Sequence, residues 1–412
     1  MSTHNQESER NGRYLRAFVH VCCCCLVLVL KDAAAFTAPR VMRSKLPLTL
    51  VGLQGSSAQQ LLYQDQQEAM ERRALFEQDL MASPQELQAP KLKIPKQKSG
   101  TGFGATSATL GPLERLAAEQ AKVVRKEGVL RIDHALSPEM TDKLRTYVLE
   151  QQVLAQVQTD LDMDSSQAFY GVENARQHRC DLQLSLLRGG YAADNNNKGG
   201  DAAAADDDLM VSHVVADSLQ ELVGADGSLR FLYENLVTCE GELYELAAVI
   251  TDPGSKRQQV HPDLPFQEEA PLYVIFLALQ DVTVEMGPTS FLMRTHTQKE
   301  NTIFFNHDKK DDQLSGANCR LSTLKKGDAV LFDARILHCG NANDPVNGAT
   351  RALFNFSFRN PKVTGDLGYP GSIRPGYNGA MNLGDLSHAL LSYGNGDKEP
   401  FAIYGDGLTR PR

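Results

Sequence analysis

The chain has 412 residues, with 42 basic and 51 acidic side chains for a formal net charge of −9, 42% hydrophobic and 23% charged residues, and no tryptophan. This is globular composition, which excludes a collagen-like, coiled-coil or wholly disordered chain, and its acidic balance argues against general nucleic-acid binding. Of the eight cysteines, Cys22 to Cys25 are consecutive within one apolar stretch, and the four further on, Cys180, Cys239, Cys319 and Cys339, form no disulfide framework and no CxxC zinc pair.

The first segment has the pattern of a targeting signal. Arg10, Arg13 and Arg16 precede the apolar run Ala17 to Leu30, and Ala33, Ala34 and Ala35 supply small residues for cleavage, so residues 1–35 are expected to form a signal peptide. The run is too short to cross a bilayer comfortably, so no stable membrane span is expected in the mature chain; an uncleaved anchor is the alternative. From Phe36 to Gln60 there is no acidic residue, while Arg40, Arg43 and Lys45 are present, the composition of a transit peptide. The junction Ala34-Ala35-Phe36-Thr37-Ala38-Pro39 resembles the bipartite plastid presequence of algae with secondary plastids. That resemblance implies a plastid location, with simple secretion as the alternative.

Residues 58–82 carry apolar residues at loosely helical spacing, and residues 90–112, with Pro90, Pro95, four lysines and four glycines, read as a linker. Residues 61–112 are therefore assigned to a helix and linker, and a folded domain is expected over residues 113–375. Leu113, Leu116, Ala117, Gln120 and Val124 share one helical face that Gly128 can end. Val129 to Ile132 is a strand candidate. Ser137-Pro138-Glu139 is an N-cap, a proline at the first helical position and an acid in the first turn, predicting a helix to about Gln151. Residues 192–208 are low in complexity and acidic, without the spacing of a calcium loop, and read as a disordered surface insertion.

From residue 242 the pattern turns to β. Glu242 to Thr251, Pro271 to Leu279, Thr289 to Met293, Ala329 to Leu337 and Arg351 to Phe358 are short runs rich in Val, Ile, Leu and Phe, bounded by turn-forming residues. Several short strands without long crossover helices indicate a sandwich or barrel. The last 52 residues contain 10 glycines, so the tail over 376–412 is expected to be irregular and to wrap the barrel or lie over it.

The chemistry lies between residues 258 and 360. In a strand, residues two apart point to the same side, so His261 and Asp263 could offer an imidazole and a carboxylate to one point, although for the pair by itself a loop histidine beside a turn aspartate is the better explanation. His338 ends the run Ala329 to Leu337, where a barrel strand delivers a side chain to the mouth, and Arg351 opens the next strand. Two histidines and a carboxylate on one face of iron leave positions for cosubstrate and O2, and a buried arginine can hold a distal carboxylate in bidentate fashion.

The stretches HPDLPF (His261 to Phe266), PLYVIFLALQDVTVEMGPTSFLMRTH (Pro271 to His296), KKGDAVLFDARILHCGNAN (Lys325 to Asn343) and RALFNFSFRNP (Arg351 to Pro361) resemble the phytanoyl-CoA dioxygenase family of Fe(II)/2-oxoglutarate oxygenases. His178-Arg179-Cys180-Asp181 is similar to an Arg-x-Asp element found ahead of the barrel in such proteins. The resemblance implies a mainly β fold with flanking helices around a double-stranded β-helix, the jelly-roll core shared with cupins. It implies that His261, Asp263 and His338 bind Fe(II) and that Arg351 pairs with the far carboxylate of 2-oxoglutarate. It further implies O2 as oxidant, ascorbate as reductant, and hydroxylation of a small-molecule or lipid-like substrate with release of succinate and CO2. A non-catalytic jelly roll that binds metal or 2-oxoglutarate is the alternative. Gly340 stands where some members carry a hydroxyl residue, so a hydroxyl partner for the cosubstrate must come from elsewhere; Thr289 and Ser357 are the candidates. The absence of tryptophan weakens any transfer of acyl-CoA specificity.

Overall fold

The computed structural model describes residues 85–92, 111–160, 169–170, 178–186, 213–369, 371–396 and 401. Every described residue lies within Met70–Arg412. The targeting segments, the helix expected over 58–82, most of the linker and the acidic insertion lie outside the described residues.

Helix α1, Pro112–Glu127, buries Ala117, Ala121 and Val124 on one stripe, and its end is set by Gly128, whose φ of 83° is the left-handed conformation that a side chain resists. Strand β2, Val129–Ile132, follows, then α2, Pro138–Asp160. The latter runs nine residues past the expected stop at Gln151, because no glycine or proline intervenes and the fully buried Ala155 holds its last turns against the core. Two helices that periodicity did not reveal, α3 at Val214–Val223 and α4 at Arg230–Val237, precede the β region. In the glycine-rich tail an ordered helix, Leu383–Gly394, replaces the expected irregular chain; it is nucleated by an Asn382–Asp385 capping box and buries Leu383, Leu386 and Leu390.

The barrel strands are β5 (Glu242–Thr251), β6 (Leu272–Ala278), β7 (Thr289–Leu292), β8 (Cys319–Leu321), β9 (Ala329–Asp333), β10 (His338–Gly340) and β11 (Arg351–Arg359). With β1 (Gln85–Glu86), β3 (Phe169–Tyr170) and β4 (Arg179–Gln183) they form two sheets. The larger has the order β2-β9-β6-β11-β5-β4-β3 and the smaller β1-β8-β7-β10. All pairings are antiparallel except β1 with β8. Two such sheets, with α1 to α4 packed on the larger, make the jelly roll.

Alternation along β11 assigns its faces. Ala352, Phe354, Phe356 and Phe358 pack into the helix-facing core with Ala121, Leu144, Leu232 and Leu386. Arg351, Leu353 and Asn355 face the other way and line the barrel interior. β11 is central, buried on both faces and paired in register with β5 on one side and β6 on the other, so its inward side chains are held from two sides.

The expected single strand Ala329 to Leu337 is broken. β9 ends at Asp333, the chain turns, and β10 begins at His338 in the other sheet, so His338 opens a strand and does not close one. The cause is local: the Asp333 carboxylate accepts hydrogen bonds from the Arg335 backbone N–H and guanidinium, and the Ile336 N–H donates to the Asp333 carbonyl. That turn moves the chain across the barrel without exposing Ile336 or Leu337, and this is why the run reads as continuous.

Candidate metal centre and its cavity

His261 lies in the chain between β5 and β6, and its backbone pairs with β10. The His261 N–H donates to the His338 carbonyl at 3.0 Å and the His338 N–H to the His261 carbonyl at 2.9 Å. This two-way bridge puts both imidazoles on one side, with ring centroids 4.7 Å apart. In each ring Nδ1 faces a carbonyl two residues back: Gln259 at 2.7 Å for His261 and Ile336 at 3.0 Å for His338. A carbonyl only accepts, so the proton sits on Nδ1 and the Nε2 lone pair is available. Both Nε2 atoms point at Asp263 Oδ1, at 3.8 Å from His261 and 3.5 Å from His338. The three ligand atoms lie within 4.8 Å of one another, the one such cluster of three or more His, Cys, Asp or Glu found among the described residues.

Burial and charge act together here. Burial opposes ionisation of Asp263, but the two neighbouring imidazoles, His338 foremost, hold its carboxyl below the usual range. Burial opposes protonation of His338 as well, yet the adjacent Asp263 carboxylate raises it. His261 is lowered by burial and then by His338. A carboxylate kept ionised between two imidazoles whose Nε2 atoms are free is a donor set that fits a divalent first-row metal. His338 is further fixed between Phe291, stacked at 5.8 Å, and Phe332 at 5.2 Å.

The three residues open onto a cavity of about 290 Å3 inside the barrel. Arg351 and Thr289 line it too. Arg351 is 1% exposed, donates through Nη1 to the Gly287 carbonyl, and has no partner at Nε. Burial, then the neighbouring Arg179 charge, brings its pKa down to about 9, which still leaves it protonated at neutral pH. Ser357 is not brought to this end. It lies six residues along β11 from Arg351, roughly 20 Å at the rise of a strand, pairs with Glu245 on β5, and does not line the cavity.

Gly340 has a spatial explanation. A Cβ built there would come within 2.6 Å of the Arg179 guanidinium and 2.9 Å of Gln258 Oε1. The space a hydroxyl side chain would take is filled by Arg179 from β4 and by Gln258, whose Oε1 accepts from the Gly340 N–H at 2.9 Å. Arg179, Gln258, Glu245, Asn355 and Ser372 all line the cavity and were not singled out as site residues in the sequence. Only Arg179 carried a signal, through its Arg-x-Asp element.

Other histidine, cysteine and methionine side chains of this region stand apart from the triad. His296 is buried, with Nε2 3.0 Å from the Arg125 carbonyl, far from the triad in its contacts. His307 and Asp308 are exposed. Cys339 packs with Leu292 and Leu337. Met286 and Met293 do not line the cavity.

The barrel, its His-Asp-His cluster and the buried arginine define a 2-oxoglutarate-dependent dioxygenase. The chain belongs to the phytanoyl-CoA dioxygenase family, whose model matches residues 124–345, a span that holds the triad and ends six residues before Arg351. Among solved structures, SnoN, a non-heme alpha-ketoglutarate-dependent epimerase from nogalamycin biosynthesis, is similar at 16% identity and a TM-score of 0.39, over 62% of this chain and 92% of its own. SnoK, an alpha-ketoglutarate-dependent carbocyclase from the same biosynthesis, is similar at 16% identity and 0.36, over 63% and 87%. HygX from Streptomyces hygroscopicus, solved with nickel, 2-oxoglutarate and hygromycin B bound, is similar at 12% identity and 0.39, over 62% and 95%. No curated protein matches the chain significantly in sequence.

Proposed function

We propose that the protein hydroxylates an unactivated C–H bond of a small organic substrate, with Fe(II) held by His261, Asp263 and His338 and with 2-oxoglutarate and O2 consumed to give succinate and CO2. The observation that carries this reading is the pair of Nε2 atoms freed by carbonyl-bound Nδ1–H groups and aimed, with Asp263, at one point beside a buried arginine. Bound iron and 2-oxoglutarate supply the oxidising chemistry; the chain supplies placement and exclusion of water. Gln259 and Ile336 orient the imidazoles, Asp263 contributes the negative charge, and the β6 and β11 residues Phe276 and Leu353 wall the cavity. Arg351 and Arg179 form a two-cation end suited to a distal carboxylate, with Thr289 as a hydroxyl beside it.

The lining supports a small polar substrate over a lipid-like one. Its apolar members are Val249, Pro262, Val274, Phe276 and Leu353, and the other twelve residues are polar. The volume also sits at the lower end of the roughly 300–1,000 Å3 of ligand pockets, before cosubstrate takes its share.

The test is release of CO2 from 2-oxoglutarate labelled in its C1 carboxyl by the purified full chain with Fe(II) and ascorbate. Slow substrate-independent release that EDTA stops is the expected result. A protein that binds Fe(II) and 2-oxoglutarate but releases none under any substrate mixture would be the non-catalytic binder. A second test follows from Gly340. In Gly340→Ala the new Cβ pushes Arg179 and Gln258 aside, and since both contacts are far ends of flexible side chains the fold adapts. The 2-oxoglutarate KM is expected to rise several-fold with little change in Tm, and an unchanged KM would remove Arg179 from the cosubstrate's surroundings.

A further inference from the structure

The cavity has two unlike ends. One carries Arg179 and Arg351; the other is built from Glu245 on β5, Asn355 on β11 and Ser372 from the segment after β11. β-pairing sets their placement. Glu245 is opposite Ser357 and Asn355 is opposite Ala247, so Glu245 and Asn355 are diagonal neighbours on adjacent strands, within about 8 Å. The Leu246 N–H donates to the Ser372 carbonyl at 2.9 Å, which lays Ser372 beside Glu245. Asn355 is 3% and Ser372 5% exposed. Glu245 Oε2, Asn355 Oδ1 and Ser372 Oγ are each buried without a hydrogen-bond partner, though all three residues line the cavity. The Glu245 carboxyl receives the Ser357 hydroxyl and the Ser372 backbone N–H but keeps Oε2 unpartnered. Buried polar atoms are satisfied as a rule, so a carboxylate oxygen, an amide oxygen and a hydroxyl left over at one end of a cavity leave room for a donor-rich group.

Charge points the same way. The lining holds two arginines against three carboxylates, Asp181, Glu245 and Asp263. Iron adds two positive charges and 2-oxoglutarate two negative ones, so ionising Glu245 leaves one negative charge that a bound cation would compensate. Without a counter-ion there, burial and then the Asp263 charge push the Glu245 carboxyl up to about 8. A primary ammonium has three donors, no acceptor and one positive charge.

We propose that the substrate carries a primary amine, bound as an ammonium by Glu245, Asn355 and Ser372 at the end of the cavity opposite Arg179 and Arg351. This rests on the oxygenase reading, which fixes where iron and cosubstrate sit. Glu245 provides the charged acceptor, and Asn355 and Ser372 set the direction in which the amine enters. The C–H bond to be attacked is then on the carbon skeleton between that amine and the metal. A carboxylate or a neutral acyl chain in the same place would leave Glu245 Oε2 and Asn355 Oδ1 unpaired.

The test uses the full chain loaded with Fe(II) and 2-oxoglutarate under anaerobic conditions, so that no turnover occurs. 1-Aminohexane, hexanoate and N-hexylacetamide are titrated calorimetrically. The amine is expected to bind at least about tenfold more tightly than either analogue, the range of a charge-assisted hydrogen bond. Glu245→Gln, which keeps the shape, is expected to erase that preference. Ser372→Ala, a loop change with little demand on folding, is expected to lower amine affinity by about threefold, the range of one neutral hydrogen bond. Equal binding of the three probes, or an amine preference that survives Glu245→Gln, overturns the proposal. Binding of 2-oxoglutarate is measured in the same samples. If cosubstrate binds and the amine shows no preference, this inference alone fails; if cosubstrate does not bind to the iron-loaded chain, the oxygenase reading fails and takes this one with it.

Discussion

His261→Ala is expected to lose Fe(II) binding and substrate-dependent succinate formation together. Removal of a partner one shell out from a metal typically costs 10–100-fold in affinity, and removal of a ligand itself should cost more. His261 is the informative position of the two histidines. Its side chain is 37% exposed and is held mainly by its backbone bridge, which alanine retains. His338 is 4% exposed and packed between Phe291 and Phe332, so His338→Ala adds a cavity to the loss of a ligand, and a fall in activity there mixes folding with chemistry. Metal content and succinate yield should therefore be measured on His261→Ala at an unchanged Tm. Full succinate yield from that variant would sink the metal assignment.

Arg351→Ala is expected to raise the 2-oxoglutarate KM by roughly a hundredfold, the equivalent of about 3 kcal/mol for a lost bidentate charge-assisted contact. The apo protein should not suffer in proportion. Arg351 is buried with an unpartnered Nε, and burial already pulls its pKa to about 9, so the side chain is held against its own desolvation. A variant with a large KM increase and an unchanged or higher Tm would match a residue kept for a ligand. Arg351→Lys keeps a charge but not the fork and should fall between the two. An unchanged KM in Arg351→Ala would count against any role in cosubstrate binding.

The legible parts of this molecule are those whose cause is local. β5, β6, β7 and β11 show in the sequence because each is a short apolar run closed by turn residues, and His261 and Asp263 because two-residue spacing shares a face. The break at Asp333 is invisible because Ala334, Ile336 and Leu337 stay buried while the chain changes sheets, so burial and strand membership part company. The tail misled in the opposite sense. Its glycines suggested irregular chain, yet the Asn382–Asp385 box and three leucines suffice for a helix. The acceptor end of the cavity could not be read at all. Glu245 sits inside an apolar run, and only its pairing with a strand more than 100 residues later shows which way it faces. Ser357 shows the same limit: a hydroxyl on the right strand does not reveal which end of the barrel it serves, and this one pairs with Glu245 away from Arg351.

The position of Arg179 bears on what counts as the smallest working piece of this protein. The stretch from residue 242 onward contains the triad and Arg351 and makes most of the barrel. But Arg179 and Asp181 enter on β4, which joins the sheet beside β5 from far upstream, and Arg179 fills the gap left by Gly340. Cutting the chain at the start of the recognisable barrel would keep the whole His-Asp-His cluster and leave one wall of the cavity missing. The cavity is thus not closed by the triad-bearing stretch alone: a strand from far upstream supplies part of its wall.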